Sequence, residues 1–373
     1  MPAARGGGAM MPSMANGRLT WLRIVAVCRI GIWGFGICTS VFVGCRSTIP
    51  ASGAVVVETS AAMRSAALDT ESAITRIAFG SCYVPQFEEA EIWRTIAQSE
   101  PDVFLFMGDN VYQSEEKAEP ELLELREAYG LLANDEPFAQ LRSQIPVLPT
   151  WDDHDYGLND AGAELPVRYE SEALFEQVWA IAPDDPRRSR DGIYHSVVVG
   201  PSGQRAQLIL LDTRFFRTTE TMLGLEQWNW LEETLAEPAD LRVLVSSIPV
   251  LSQRPEGESW HRWQDERLRL LSMLDGAAGT TILLSGDSHF GSFYTAENDH
   301  RVLWEVTSSS LNFPMPEKAR LAFDHEDRAR VGAVYFDANF GWLAVDWPER
   351  LLSLELRDVS GQSVATQRIP LSE

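Results

Sequence analysis

Residues 103–112 read Val-Phe-Leu-Phe-Met-Gly-Asp-Asn-Val-Tyr, an apolar run that stops on Gly108, Asp109 and Asn110. An apolar run without alternation is the pattern of a strand buried on both faces, and the turn residues after it place Asp109 at the carboxyl end. The same order recurs along the chain. Residues 74–80 lead into Ser81 and Cys82, residues 147–151 into Asp152, Asp153, His154 and Asp155, and residues 281–285 into Gly286, Asp287, Ser288 and His289. Further strands are expected at 206–212, 242–248, 303–307, 333–337, 343–346 and 351–357, with helices at 88–98, 120–133, 171–181, 225–236 and 260–274. That succession predicts an α/β fold with at least partly parallel sheets. It shows no internal repeat and no clean second domain boundary.

An Asp or Asn after a strand is commonly a turn or helix cap, and a lone Cys is more often a small core residue than a ligand. Four clusters with one grammar are harder to explain that way. Strand carboxyl ends of an open α/β sheet converge on one crevice, so the clusters can meet despite their separation. Carboxylates packed together repel unless cations lie between them, and a joint metal site is the reading that accommodates all four.

The charge balance agrees. Fifty-four acidic against 31 basic residues give a net charge of −23, a field that repels phosphate backbones and excludes electrostatic nucleic-acid binding by the surface as a whole. An anionic substrate needs a locally positive site, which bound metal ions supply. Hydrophobic residues at 45%, with 12 Trp and 16 Phe, exclude disorder as the dominant state.

Residues 1–45 differ in carrying Arg5, Arg18, Arg23 and Arg29 and no acidic residue. The Gly-rich apolar run after Arg29 ends on Phe42, Val43, Gly44 and Cys45 and reads as a signal peptide closing on a lipobox, with Cys45 lipidated. The alternative is an uncleaved anchor helix over residues 22–43. Either reading makes an exported, bacterial cell-envelope protein, held to the membrane by lipid or anchor and facing periplasm or exterior. Residues 46–72 read as a flexible tether, and 73–373 as the catalytic domain. Cys28 and Cys38 fall in the leader, which leaves Cys82 without a disulfide partner.

Gly-Asp-Asn-Val-Tyr, Trp-Asp-Asp-His-Asp-Tyr-Gly-Leu-Asn-Asp, Leu-Asp-Thr-Arg, Leu-Gly-Leu-Glu-Gln-Trp-Asn-Trp-Leu, Ser-Gly-Asp-Ser-His and Glu-Val-Thr-Ser-Ser-Ser occur in this order. Together with Gly-Ser-Cys they resemble the alkaline phosphatase D (PhoD-like) family of the binuclear metallophosphatase superfamily, from about Ile74 to Asn312. The resemblance implies a four-layer sandwich of two mixed β-sheets flanked by helices, acting on phosphomonoesters or phosphodiesters. It assigns Cys82, Asp109, Tyr112 and His289 to a first metal, for which the anionic thiolate and phenolate favour Fe(III). Asp109 bridges to a second metal, held also by Asp153 and Asp287, where oxygen ligation suits Ca²⁺, or Mg²⁺ or Mn²⁺. His154 is placed to stabilise the transition state or protonate the leaving alkoxide, with Asp155 orienting its ring. Asn110 and Arg214 are expected to hold phosphate oxygens.

The superfamily has a His where the strand at 242–248 offers Ser246 and Ser247. Ser247 is a weak ligand at best, so the second metal would lean on solvent, Asn159, Asp160 or a backbone carbonyl. That departure motivates an alternative, a catalytically decayed metal-binding envelope protein; His154 between two Asp residues speaks for the enzyme. His195 and His261 lack metal-ligand spacing, Trp228, Trp230, Trp260 and Trp263 read as core, and Arg187, Arg188 and Arg190 sit in a surface loop that could rim a phosphate site. The particular ester and the oligomeric state are not legible.

Overall fold

The structure is a computed structural model that describes residues 62–87, 91–113, 119–254, 257–323 and 326–372; the leader and lipobox lie outside these residues. The strands are β1 (Arg76–Gly80), β2 (Val103–Met107), β3 (Val147–Thr150), β4 (His195–Val199), β5 (Ala206–Leu210), β6 (Leu241–Ser246), β7 (Thr280–Ser285), β8 (Gly291–Glu297), β9 (Val302–Ser308), β10 (Arg330–Tyr335), β11 (Asn339–Asp346), β12 (Leu351–Asp358) and β13 (Ser363–Pro370). They form a six-stranded sheet in the order β13-β12-β11-β1-β2-β3 and a seven-stranded sheet in the order β10-β8-β9-β7-β6-β5-β4. Both are mixed. In the first, β1, β2 and β3 run parallel and β11 pairs antiparallel with β1. In the second, β5, β6, β7 and β9 run parallel, flanked by antiparallel β4 and β8.

The helices are α1 (Glu91–Gln98), α2 (Leu123–Asn134), α3 (Glu136–Gln144), α4 (Asp153–Tyr156), α5 (Arg168–Val178), α6 (Gly224–Leu235), α7 (Gln264–Gly276) and α8 (Glu317–Phe323). The period-2 direction of strand side chains divides the apolar runs between layers. Val103, Leu105 and Met107 join Leu208, Val243, Val245 and Leu284 in the core between the sheets. Phe104 and Phe106 point the other way, onto Trp93, Leu125, Phe138 and Phe175 of the helices. Ile209, Leu244 and Leu283 do the same for the second sheet, against Trp228, Leu231, Leu270 and Leu274 of α6 and α7. The result is the expected helix, sheet, sheet, helix stack. Phe106 alone meets Trp93, Phe138 and Trp179 with ring centroids 5.6, 5.9 and 6.0 Å away, and truncating such a residue to Ala typically costs about 3–5 kcal/mol.

Several elements depart from expectation. The helix expected over 260–274 is a 3₁₀ turn, Trp260–Arg262, followed by α7, because Trp263 between them has an extended φ of −119° and a ψ of 64°. Helix α3 is additional: Asp135 accepts the Phe138 N–H at 3.1 Å as its N-cap, and Pro137 sits in the first turn, where proline is tolerated. Strands β4, β8 and β13 are also additional. The end of the stretch read as a tether is packed: Met63 is buried, its N–H bonds Val178 O at 2.6 Å, and the Ala66 N–H bonds Arg142 O at 2.8 Å. Among the described residues no helix is long and apolar enough to cross a membrane.

Candidate metal centre

The ends of β1, β2, β3 and β7 deliver the predicted residues to one place. Asp109 and Asp287, with Cys82 and His289, take positive φ angles of 49°, 64°, 58° and 57°. A left-handed residue other than glycine costs about 1–2 kcal/mol, so the surrounding packing holds these turns. Gly108 has a φ of +96°, and a Cβ there would lie 2.7 Å from Asp152 Cβ and 2.8 Å from its backbone N. Only a glycine lets the β2 turn approach the β3 turn so closely.

In the first group the ligand atoms of Cys82, Asp109 and His289 all lie within 4.8 Å of one another. The Tyr112 hydroxyl donates to Asp109 Oδ2 at 2.7 Å, and Cys82 Sγ is 3.4 Å from the same oxygen. The His289 Nδ1 is 2.8 Å from Phe313 O, so Nδ1 carries a proton and Nε2 is the nitrogen that faces the group, free for a ligand once it gives up its own proton. Burial pushes the Cys82 thiol up, but the His289 charge and hydrogen bonds from His289, Ser309 and Tyr112 outweigh it and bring the thiol down to about 6. Burial, then the Cys82 and Asp153 charges, hold the Asp109 carboxyl well above its usual range.

Two further groups share these residues: Asp109 with Asp153 and His154, and Asp152 with Asp153 and Asp287, again with ligand atoms within 4.8 Å. Asp152 is a residue that sequence reasoning passed over. Asp153, next to it at the end of β3, was expected to supply the ligand alone, yet the turn into α4 brings both carboxylates to one group. Ser247 stands beside them, fully buried, with Oγ 2.5 Å from Asp152 Oδ1 and 2.5 Å from Thr213 Oγ1. The strand without a His therefore does end at the site, with its hydroxyl committed to Asp152.

Three expected phosphate or imidazole contacts take other forms. Asn110 spends its amide N–H groups on Thr150 O at 2.8 Å and on Asp155 Oδ2. Exchanging amide O and N would set acceptor against acceptor, so the atom left over is Oδ1, which cannot donate to a phosphate. Asp155, fully buried, ties the β2 turn to the β3 turn, accepting N–H groups of Asp109 at 3.2 Å, Asn110 at 3.1 Å and Asp152 at 2.6 Å. Arg214, expected at the phosphate, is fully buried, with Nε 2.6 Å from Asp152 Oδ1 and Nη2 2.7 Å from Glu258 Oε2. Glu258, also buried, takes Arg217 Nη1 at 2.6 Å. Its loop position gave no sequence signal. Burial raises the Glu258 carboxyl, but Arg214, Arg217 and Arg262 outweigh that and leave it below the usual range. Burial, with Asp153 and Glu258 adding to it, outweighs the single guanidinium of Arg214 and pushes the Asp152 carboxyl up to about 7.

His154 is buried, its ring 4.2 Å from that of Tyr112. Burial, then the charges of His289 and Arg214, push its pKa well below 6.5, so the imidazole is neutral. His195 and His261 enter none of the three groups. The loop arginines serve the fold: Arg187 pairs with Asp185 at 2.7 Å, Arg188 with Glu176 at 2.9 Å, and Arg190 lies 3.9 Å over the Tyr194 ring.

A metal pair fits this constellation. Asp109 Oδ1, Asp152 Oδ2 and Asn110 Oδ1 are buried without a hydrogen-bond partner among the described residues, and acceptor oxygens so placed need a cation or a donor. Cys82, Tyr112 and His289 gather about Asp109 on one side, and the carboxylates of Asp152, Asp153 and Asp287 with the His154 imidazole on the other, so only the first position has a sulfur donor and the two differ in softness.

Two mixed sheets between helical layers, with such donors gathered at the strand carboxyl ends, define a metal-dependent phosphoesterase of the metallophosphatase type. The sequence model of the PhoD-like phosphatases matches residues 77–347, and the chain belongs to that family. It is a phosphatase. Among solved structures, that of PhoD is 16% identical, with a TM-score of 0.63 over 82% of this chain and 70% of its own. The 5′-nucleotidase of Candida albicans is 14% identical, with a TM-score of 0.42 over 79% of this chain and 53% of its own. No curated protein sequence matches.

Proposed function

We propose that the protein is an exported hydrolase of phosphomonoesters or phosphodiesters that works with Fe(III) at the Cys82, Asp109, Tyr112 and His289 position and a hard divalent ion, Ca²⁺ or else Mg²⁺ or Mn²⁺, at the acidic position. The observation that carries the reading is Asp109, which belongs to two of the groups: its Oδ2 faces Tyr112 and Cys82, and its Oδ1 is buried without a hydrogen-bond partner among the described residues. Asp153 and Asp287, joined by Asp152, furnish the second position. Bound there, a metal pair supplies an activated water and neutralises phosphoryl oxygens.

The residues of the chain do the rest. Asp155 fixes the β2 and β3 turns against each other, so the ligands keep their spacing. Arg214 and Ser247 hold Asp152 Oδ1 and leave Oδ2 for the ion. Neutral His154 offers an N–H to a phosphoryl oxygen; donating a full proton to a leaving alkoxide requires the imidazolium, which burial disfavours. Metal analysis of the purified protein, with assays on monoester and diester model substrates, tests the reading. Iron with a hard divalent ion and ester hydrolysis are expected. Stoichiometric zinc without iron in a colourless active protein would sink the metal assignment.

A further inference from the structure

We propose that Ser309 is a positioning residue that tunes the sulfur donor of the first metal position, donating its hydroxyl hydrogen to Cys82 Sγ while its oxygen accepts the backbone N–H of His289. The inference rests on the reading of Cys82 and His289 as metal ligands. Ser309 follows β9 and is fully buried, with Oγ 3.2 Å from Cys82 Sγ and 2.8 Å from the His289 N. It thereby joins ligands that come from different sheets.

The direction of the sulfur contact follows from the chemistry of its partners. A backbone N–H can only donate, so His289 occupies a lone pair of the Ser309 oxygen and leaves the hydroxyl hydrogen to go elsewhere. A metal-bound cysteine is a thiolate and carries no hydrogen. The one hydrogen available to the contact is then that of Ser309. Its neighbours are engaged otherwise: Ser308 Oγ donates to Asn339 Oδ1 at 2.9 Å, and Ser81 Oγ lies farther from the sulfur, at 3.6 Å. A hydrogen bond to a ligating sulfur withdraws charge from it and sets the electronics of the metal it binds. Losing the bond makes the sulfur a stronger donor and lowers the energy of sulfur-to-metal charge transfer.

The test exchanges the metal of the full-length protein for Co²⁺, whose sulfur charge-transfer band in the near ultraviolet has no strong phenolate band over it from Tyr112. Ser309→Ala is expected to keep the metal and shift the band to longer wavelength, and Ser309→Thr, which retains the hydroxyl, to leave it at the wild-type position. Ser309→Gly, which also removes the donor, serves if the alanine variant does not fold. Ser310→Ala alters the adjacent serine, whose buried Oγ has no hydrogen-bond partner among the described residues, and is expected to leave the band in place. An unmoved band in the Ser309 variants, or an equal shift in Ser310→Ala, overturns the inference while the metal reading stands. A wild type with cobalt bound but no sulfur band overturns the ligand reading itself, and the role of Ser309 with it.

Discussion

Replacing Arg214 by Met keeps most of the side-chain volume and removes the one guanidinium that lies between Asp152 and Glu258. All three side chains are secluded, with relative exposures of 0, 1 and 3%. Removing one partner of a buried ion pair costs about 3–5 kcal/mol, chiefly because the other charge is left uncompensated. Against a total stability of about 5–15 kcal/mol for a typical domain, that is a large fraction. With an m value of about 3 kcal/mol/M, the urea midpoint should fall by about 1–2 M. The measurement belongs on chelator-treated protein, since bound metal would compensate Asp152 and complicate two-state behaviour. The deficit also has a sign in pH. In the wild type the Glu258 carboxyl is held below its ordinary range by its three arginines despite burial. It therefore contributes stability above the unfolded-state pKa, lost as pH falls through the lowered folded value. In the variant Asp152 loses its guanidinium, while Glu258 keeps Arg217 at 2.6 Å; the stranded Asp152 carboxylate prefers to be protonated, so the gap to wild type should narrow between pH 7 and about 4.5. Adding Asp152→Asn to Arg214→Met should cost less than the sum of the single changes, since the stranded charge is gone. A loss below about 1 kcal/mol, or one that does not change with pH, would refute the view that this triad is held together by its charges.

Three other outcomes are expected. His154→Ala should retain both metals by elemental analysis and lose about 10²–10⁴-fold in kcat; comparable losses on esters with good and poor leaving groups fit a neutral hydrogen-bond donor, and a loss confined to poor leaving groups refutes it. A calcium chelator should strip the ion held by Asp152, Asp153 and Asp287 and abolish activity that Ca²⁺ restores, while the metal at Cys82 and His289 stays; full activity after verified removal of that ion counts against it. Cys45→Ser should abolish incorporation of labelled palmitate and release the protein from the membrane fraction, whereas unchanged membrane retention without palmitate in the wild type favours an anchor helix.

The parallel strands were legible because each is short, apolar throughout and followed by a turn, and β2 falls where it was expected, at Val103–Met107. The ligand clusters were legible for the same reason. Strand β8 was not: Gly291 and Ser292 open it directly after the His289 turn, and it acquires its identity by pairing with β9. Side-chain direction was also hidden. Nothing local says that Asn110 faces Thr150 O, or that Arg214 finds Glu258 across a loop. Asp152 and Asp153 were separable only once the turn into α4 was known.

Cys82, Asp109, Asp152 and Asp153 leave the ends of one sheet, and Asp287 and His289 the end of a strand in the other. A metal gripping both sets would rivet the sandwich across its seam. A nascent chain ending after β3 would hold Cys82, Asp109 and Asp153 but lack the opposing half of the clasp, so the complete ligand set would form only on closure. On that reading the metal would be the final fastener of the fold. Once seated at about a thousandfold above its dissociation constant, it adds about 4 kcal/mol against prising the two halves apart.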